Sequence, residues 1–320
     1  MTDIYRIFDA CFGCDFDLPE LPDGKPDQVE FRVVLREDPE PDLQGFETRA
    51  QWPDTKGEIV LRCQRRGDEY LLDFPGRTAF LVQPGRTIAC LEPPGADRRV
   101  TRHLLLNQAL PRYLGTGGRM IVHCGAVSLA TGGTVGFLGQ SGRGKSTLVA
   151  DFHRHGARLI DDDAILLQVR DDGVWALGGY PGIRLFPDSV NAVFEESSGF
   201  TNYTPYSDKQ QVILRGEVGG ENPWYRLDAL FVLNGPGEPP TGDAVEIEPL
   251  PLPIAVMNLE MGLFSVDPTD REGRERGFGQ VCRAASEGVG IYRLAYPRVH
   301  ERLAEVRWAV EEFLAGRYPK

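Results

Sequence analysis

Short apolar segments separated by polar turns fill the first third of the chain. Their pattern predicts strands over residues 5–17, 31–35, 58–63, 69–74, 79–82 and 87–91. Turn signals such as Arg66-Gly67-Asp68 and Pro75-Gly76 lie between these segments. The spacing is typical of a small meander or sandwich.

Helical periodicity replaces this pattern at residue 100. Apolar residues recur at helical spacing from Val100 to Leu114, and the run Gly115-Thr116-Gly117-Gly118 is typical of a helix end. The 320 residues are enough for two domains. We therefore expect a smaller β-rich domain over residues 1–117 and a second domain over residues 118–320.

Strand and helix patterns alternate in the second part, which predicts an α/β fold. Strands are predicted over residues 120–127, 135–138, 158–160, 164–169, 175–177, 212–214 and 228–233, and helices over residues 145–155, 278–287 and 300–316. Residues 203–211 and 235–242 are predicted to be loops.

The charge balance limits the classes of partner. The formal net charge is −12, whereas a free-standing nucleic-acid-binding protein usually carries a basic face, so we expect no nucleic-acid partner. No apolar run approaches the length that spans a bilayer, and the first residues form no signal segment. We therefore expect a cytoplasmic protein with no membrane partner.

Six cysteines are scattered along the chain, and in a cytosolic protein they are expected to be reduced. Cys11-Phe12-Gly13-Cys14 is a lone C-x-x-C pair, whereas a zinc site would need a second pair or histidines at set spacing. The aromatic residue between the two cysteines favours a strand packed in a core over a metal or redox site.

One motif carries most of the chemical information. Gly139-Gln140-Ser141-Gly142-Arg143-Gly144-Lys145-Ser146 fits G-x-x-x-x-G-K-[ST] and lies between a predicted strand and a predicted helix. The glycines let main-chain N–H groups surround phosphate oxygens, and the start of the helix adds a positive dipole end. The motif and Thr147 are thus predicted to bind a nucleotide, with Lys145 on the β- and γ-phosphates and Ser146 on Mg²⁺.

Three consecutive acids follow the next predicted strand. A strand that returns beside the phosphate loop should bring Asp161, Asp162 and Asp163 near the phosphates. Three adjacent acids cannot all be buried and ionised cheaply, so some must face solvent, a cation or a substrate. Strand alternation would place Asp161 and Asp163 on one side. A solvated acidic turn is the alternative to a functional site.

Two further residues are candidates with two interpretations each. His123 lies in the strand before the loop, where it could be a functional residue or a core histidine whose ring is satisfied. Arg184 could stabilise charge on a transferred phosphoryl group, or it could pair with Asp188 at the surface.

These segments together resemble the catalytic domain of the HPr kinase/phosphorylase family. The resemblance lies in the strand from His123 to Val127, in residues 136–147 and in the run Ala157-Arg158-Leu159-Ile160-Asp161-Asp162-Asp163. It implies a P-loop kinase core similar to the HPr kinase C-terminal domain and to phosphoenolpyruvate carboxykinase. It also implies ATP and Mg²⁺ as cofactors, transfer to a serine hydroxyl, and a possible homo-oligomer.

The resemblance implies a role for each site residue. Lys145 and Ser146 would hold phosphate and Mg²⁺, Asp162 would be the catalytic base, and Asp163 would be the second, metal-side acid. His123 matches the family's strand histidine, and Arg184 more loosely matches its later arginine.

The expected acceptor is a peptide or small protein. The run Gly182-Ile183-Arg184-Leu185-Phe186-Pro187 stands where the family has an E-I-R-G-L-G-type run. The opening Asp17-Leu18-Pro19-Glu20-Leu21-Pro22 resembles HPr-kinase-related proteins found beside peptide-modification genes. Some of these resemble lasso-peptide precursor kinases, which phosphorylate a C-terminal serine. A regulatory nucleotide-binding module without phosphotransfer and a small-molecule kinase stay open as alternatives.

Overall fold

The computed structural model describes residues 2–36, 43–54, 56–180, 182–194, 199–202, 208–214, 223–233 and 244–316. The chain is a mixed α/β protein with several sheets. It divides into two compact units, Met1–Ile121 with Phe264–Gly277, and Val122–Leu263 with Phe278–Lys320. The first unit thus ends four residues beyond the predicted boundary, and it includes a later segment that the sequence pattern did not indicate.

The first unit contains an eight-stranded sheet in the order β1-β2-β3-β8-β7-β6-β5-β4. The strands are β1 (Asp3–Ile7), β2 (Ala10–Cys14), β3 (Val29–Arg36), β4 (Glu47–Pro53), β5 (Ile59–Arg66), β6 (Glu69–Phe74), β7 (Thr78–Gln83) and β8 (Thr87–Leu91). The run from β4 to β8 is an antiparallel meander, which confirms that part of the prediction. Alternate residues of β7 are buried, as the period of a strand with one covered face requires.

Aromatic side chains form part of the core of this unit. The Phe12 and Phe31 rings stack with centroids 5.1 Å apart, and Phe31 contacts Tyr113 at 4.5 Å. The predicted helix forms as α1 (Arg98–Leu104), a π-helical turn (Leu105–Ala109) and α2 (Leu110–Thr116). The C-x-x-C pair lies in β2 and is buried, and burial raises the pKa of the Cys14 thiol to about 12. The core-strand interpretation of that pair is confirmed.

The remaining elements follow in chain order. The strands are β9 (Met120–Val122), β10 (Cys124–Ser128), β11 (Thr134–Leu138), β12 (Arg158–Asp161), β13 (Ile165–Arg170), β14 (Gly173–Gly178), β15 (Gly182–Leu185), β16 (Thr201–Asn202), β17 (Gln210–Ile213), β18 (Tyr225–Arg226), β19 (Ala229–Leu233), β20 (Glu246–Pro249) and β21 (Gly290–Ala295). The helices are α3 (Lys145–Arg154), α4 (Pro187–Val193), α5 (Leu252–Gly262), α6 (Arg271–Arg283) and α7 (Leu303–Leu314).

The main sheet of the second unit has the order β12-β10-β11-β19-β21-β20. Strands β11, β19 and β21 are parallel, and β10 and β20 run antiparallel to their neighbours. Residues Phe137, Phe152 and Phe231 are fully buried where α3 packs on this sheet, with Phe137 5.6 Å from Phe152 and 6.1 Å from Phe231 between ring centroids. This packing fixes the end of β11 and the start of α3 at one edge of the sheet.

Two smaller sheets complete the second unit. Strand β14 lies between β13 and β18, and β17 lies between β15 and β16. Among the described residues, no helix is long and apolar enough to cross a membrane. Two segments were predicted as loops. Residues 235–242 and the first part of the other segment, residues 203–207, lie outside the described residues. The remainder of that segment, residues 208–211, is described, and β17 begins within it.

Candidate functional site

The loop between β11 and α3 is formed by glycines that adopt positive φ angles. The angle is 148° at Gly139, 77° at Gly142 and 90° at Gly144, a region that other residues rarely adopt. A Cβ atom on Gly144 would also lie 3.1 Å from the Tyr296 hydroxyl. The loop leads into the N-terminus of α3, so main-chain N–H groups and the helix dipole favour an anion there.

Lys145 is buried at the start of α3, where 5% of the residue is exposed. Its Nζ donates hydrogen bonds to the main-chain oxygens of Gly139 (2.6 Å) and Gln140 (3.2 Å). Burial lowers its pKa, and the nearby carboxylate of Asp163 opposes that shift. A phosphate in the loop would offer this amine a charged oxygen in place of neutral carbonyls.

Asp161 has a structural position that the sequence argument missed. Its carboxylate accepts the N–H groups of Asp163 (2.8 Å), Ala164 (3.0 Å), Gly179 (2.8 Å) and Tyr180 (3.3 Å). Burial raises its pKa to about 7 despite these hydrogen bonds. Because β12 ends at Asp161 and the carboxylate closes a turn, the alternation that would place Asp161 and Asp163 on one side does not hold. An Asp whose side chain accepts N–H groups two residues on is a known turn signal.

Asp162 is buried behind the loop, with 2% of the residue exposed. Its Oδ2 accepts the main-chain N–H of Arg184 at 2.7 Å. Its Oδ1 is buried and has no partner at hydrogen-bond distance in the described part of the chain. Burial raises the pKa of Asp162, while the Arg184 guanidinium and the Ser146 hydroxyl lower it. The Ser146 hydroxyl is thus near enough to favour the ionised form, although no hydrogen bond of ordinary length reaches Oδ1.

Asp163 forms a cluster with the two remaining candidates. Its Oδ2 lies 2.8 Å from Arg184 Nη2, and its Oδ1 lies 3.4 Å from His123 Nδ1. Burial raises the pKa of Asp163, but the Arg184 guanidinium and other nearby cations outweigh burial and hold this pKa well below its ordinary value. Asp163 is therefore ionised at neutral pH.

His123 lies in a bend between β9 and β10, so the predicted strand over residues 120–127 is interrupted there. Its Nδ1 is 2.9 Å from the main-chain oxygen of Asp163. Burial lowers its pKa to about 4, so the ring is neutral at neutral pH, and Nδ1 must carry the proton that the carbonyl accepts. The ring therefore fixes the main chain at Asp163.

A cavity of about 220 Å³ brings most of these groups together. It is smaller than typical ligand cavities of about 300–1,000 Å³, so it fits a phosphate end better than a whole nucleotide. The predicted site residues that line it are His123, Ser141, Gly142, Gly144, Lys145, Ser146, Thr147, Asp163 and Arg184. Gly139, Gln140 and Arg143 belong to the loop but do not line the cavity, and Asp162 lies behind it.

Four further residues line the cavity. Phe186, Ser189 and Lys209 were not predicted from the sequence, and Asp188 was considered only as a surface partner of Arg184. Ser189 Oγ is 3.1 Å from Thr147 Oγ1 and 3.4 Å from His300 Nε2, so α4 is hydrogen-bonded to the first turn of α3. No local motif marks these residues, because β15, α4 and β17 meet the loop only in the folded chain.

No protein-family model matches this chain, and no curated protein is significantly similar to it. The resemblance to HPr kinases therefore stays a prediction.

Proposed function

We propose that the protein is an ATP- and Mg²⁺-dependent kinase that transfers the γ-phosphoryl group to a hydroxyl of a peptide or small protein, with a serine as the expected acceptor. The observation that carries this proposal is the shared cavity. The phosphate loop with Lys145 forms one wall, and the Asp163–Arg184 pair with His123 forms another. The P-loop kinase core similar to HPr kinase and phosphoenolpyruvate carboxykinase is part of the same proposal.

The residues present fit a magnesium nucleotide. Mg²⁺ usually takes one or two protein oxygens and completes its shell with water and substrate phosphates. The buried Oδ1 of Asp162 and the nearby Ser146 hydroxyl would supply the oxygens for such an ion. Mg²⁺ bound there would neutralise charge on the phosphates.

The burial of Asp162 supports exchanging the roles that the resemblance implies for Asp162 and Asp163. Asp163 lines the cavity and Asp162 does not, and a proton acceptor must be within reach of the acceptor hydroxyl. We therefore assign Asp163 to the acceptor hydroxyl. Asp162 is assigned to the metal side together with Ser146.

The transfer step then follows from the charges. Asp163 is ionised and accepts a hydrogen bond from the acceptor O–H. The acceptor oxygen forms a bond to the γ-phosphorus, the bond from that phosphorus to the bridging oxygen breaks, ADP leaves, and the hydroxyl proton moves to Asp163. A weak base suffices because the transition state of phosphoryl transfer is loose. The bond to the acceptor oxygen is little formed in it, so little positive charge develops on that oxygen. Arg184 holds the carboxylate in place.

The test is an assay with γ-labelled ATP and Mg²⁺ in a soluble extract of the cells that encode the protein. The proposal predicts acid-stable label on a serine of a peptide or protein, and no such label with Lys145→Met. Label only on a small molecule would support a small-molecule kinase. ATP binding with no labelled acceptor in the extract would support a regulatory module.

A further inference from the structure

Lys209 is a third cation at the cavity, outside the phosphate-loop motif. It immediately precedes β17, whose Gln211 pairs with Arg184 on β15. The pairing brings Lys209 beside the arginine, and both side chains line the cavity. Lys209 Nζ lies 5.3 Å from the centroid of the Phe186 ring, so a cation–π contact restricts where the amine can lie.

The position of Lys209 is unfavourable for a lysine that only stabilises the fold. Burial lowers its pKa, and repulsion from the Arg184 guanidinium lowers it further, while Asp162 and Asp163 oppose the shift. Asp163 is already within 2.8 Å of Arg184. A residue in a cleft whose pKa is shifted by burial and by specific neighbouring charges is a candidate for a functional residue.

The three cations reach the cavity from different elements. Lys145 lies over the phosphate loop, bonded to two of its carbonyl oxygens, and Arg184 holds Asp163. Lys209 lines the cavity with both, from the residue before the strand pair that carries Arg184 rather than from the loop. An ammonium group can donate up to three hydrogen bonds to phosphoryl oxygens.

We propose that Lys209 binds the γ-phosphoryl group of the nucleotide and remains in contact with it during transfer, which makes Lys209 a catalytic residue and the source of preference for a triphosphate over a diphosphate. This inference rests on the proposed kinase function and adds a residue to it. A lysine that contacts the γ-phosphoryl group strengthens ATP binding and leaves ADP binding unchanged, because ADP has no γ-phosphoryl group.

The experiment compares the dissociation constants of Mg·ATP and Mg·ADP by calorimetry, which needs no acceptor. In Lys209→Met we expect ATP binding to weaken by about tenfold or more, since charge-assisted hydrogen bonds are among the strong ones. ADP binding should stay within about twofold. Lys209→Arg should recover most of the ATP affinity, and the exposed-site control Lys56→Met should match the wild type.

Lys209→Gln is a second uncharged variant, and thermal unfolding of each variant reports whether it is folded. Equal loss of ATP and ADP affinity, or no loss of either, would overturn the inference. Unchanged ATP affinity with slower transfer would place Lys209 on the acceptor and would also overturn it. A wild-type protein that binds neither nucleotide would instead remove the proposed function, so the two failures are distinguishable.

Discussion

The two units handle buried charge differently. In the first unit, buried Glu20 lies 3.2 Å from the Arg102 guanidinium, and buried Asp267 lies 3.6 Å from the Arg65 guanidinium, which also lies 3.7 Å from Asp270. In the second unit, among the three successive acids 161–163, Asp163 contacts the Arg184 guanidinium, whereas Asp161 and Asp162 accept main-chain N–H groups.

The difference separates charge that serves the fold from charge that serves a site. When a buried acid is paired with an arginine, the attraction between the two charges at best offsets the cost of removing them from water. A cluster with more acids than nearby guanidinium groups costs free energy that stability alone does not explain. The second unit retains such a cluster next to a phosphate-type loop.

Replacing Asp161 by alanine is expected to have the largest effect. Four main-chain N–H groups would lose their acceptor, and each unsatisfied buried donor costs about 1–3 kcal/mol. With partial relief by water, the free energy of unfolding should fall by about 4 kcal/mol or more, and γ-phosphoryl transfer should be lost. Urea titration and the transfer assay measure the two effects.

A core truncation in the first unit is the matched control for that variant. Leu72 is fully buried, so Leu72→Ala should cost about 2–5 kcal/mol. Because the cavity is lined by the second unit alone, its ATP affinity should stay at the wild-type value under folding conditions. Loss of ATP binding in the folded Leu72→Ala protein would contradict the separation of roles.

Lys145→Met should weaken ATP binding by about 30–100-fold, or about 2–3 kcal/mol, because a charge-assisted contact to phosphate is removed. Its burial disfavours the charged form, so the free energy of unfolding should stay within about 0.5 kcal/mol or rise. Calorimetry and urea titration test the two parts. A variant that loses stability and keeps ATP affinity would contradict both.

The pH dependence of stability should show the smallest effect. The pKa of His123 falls from 6.5 to about 4 on folding, so the unfolded chain binds more protons between these values. Stability from this residue is therefore complete above pH 6.5 and is lost as the pH falls towards 4. The difference in unfolding free energy between wild type and His123→Asn should change across that window. A constant difference would contradict the neutral ring.

Sequence patterns predicted most strands because one face of each is buried and apolar. Strand β4 was missed since most of its residues are exposed and carry no apolar alternation. Helix α4 has only seven residues, and α5 exposes apolar side chains such as Leu252 and Met257, so neither shows an amphipathic helical pattern. Strand β17 begins inside the predicted loop over residues 203–211.

The site was predictable where it is local in sequence. The loop from Gly139 to Ser146 and the adjacent acids follow from a motif and one strand. The inward turn at Asp161 depends on a main-chain N–H group directly after β14. The position of Lys209 at the cavity depends on the pairing between β15 and β17. Neither pairing can be deduced from local spacing, which is why the different positions of Asp161, Asp162 and Asp163 appear only in the folded chain.

The most direct test of the kinase account compares Asp163→Asn with Asp162→Asn in both Mg·ATP affinity and γ-phosphoryl transfer to the labelled acceptor. Asp163→Asn should keep ATP affinity within about threefold and slow transfer by about 100-fold or more, as removal of a catalytic proton acceptor does. Asp162→Asn should instead weaken the dependence of ATP binding on Mg²⁺. Transfer at a near-wild-type rate in Asp163→Asn would contradict the account.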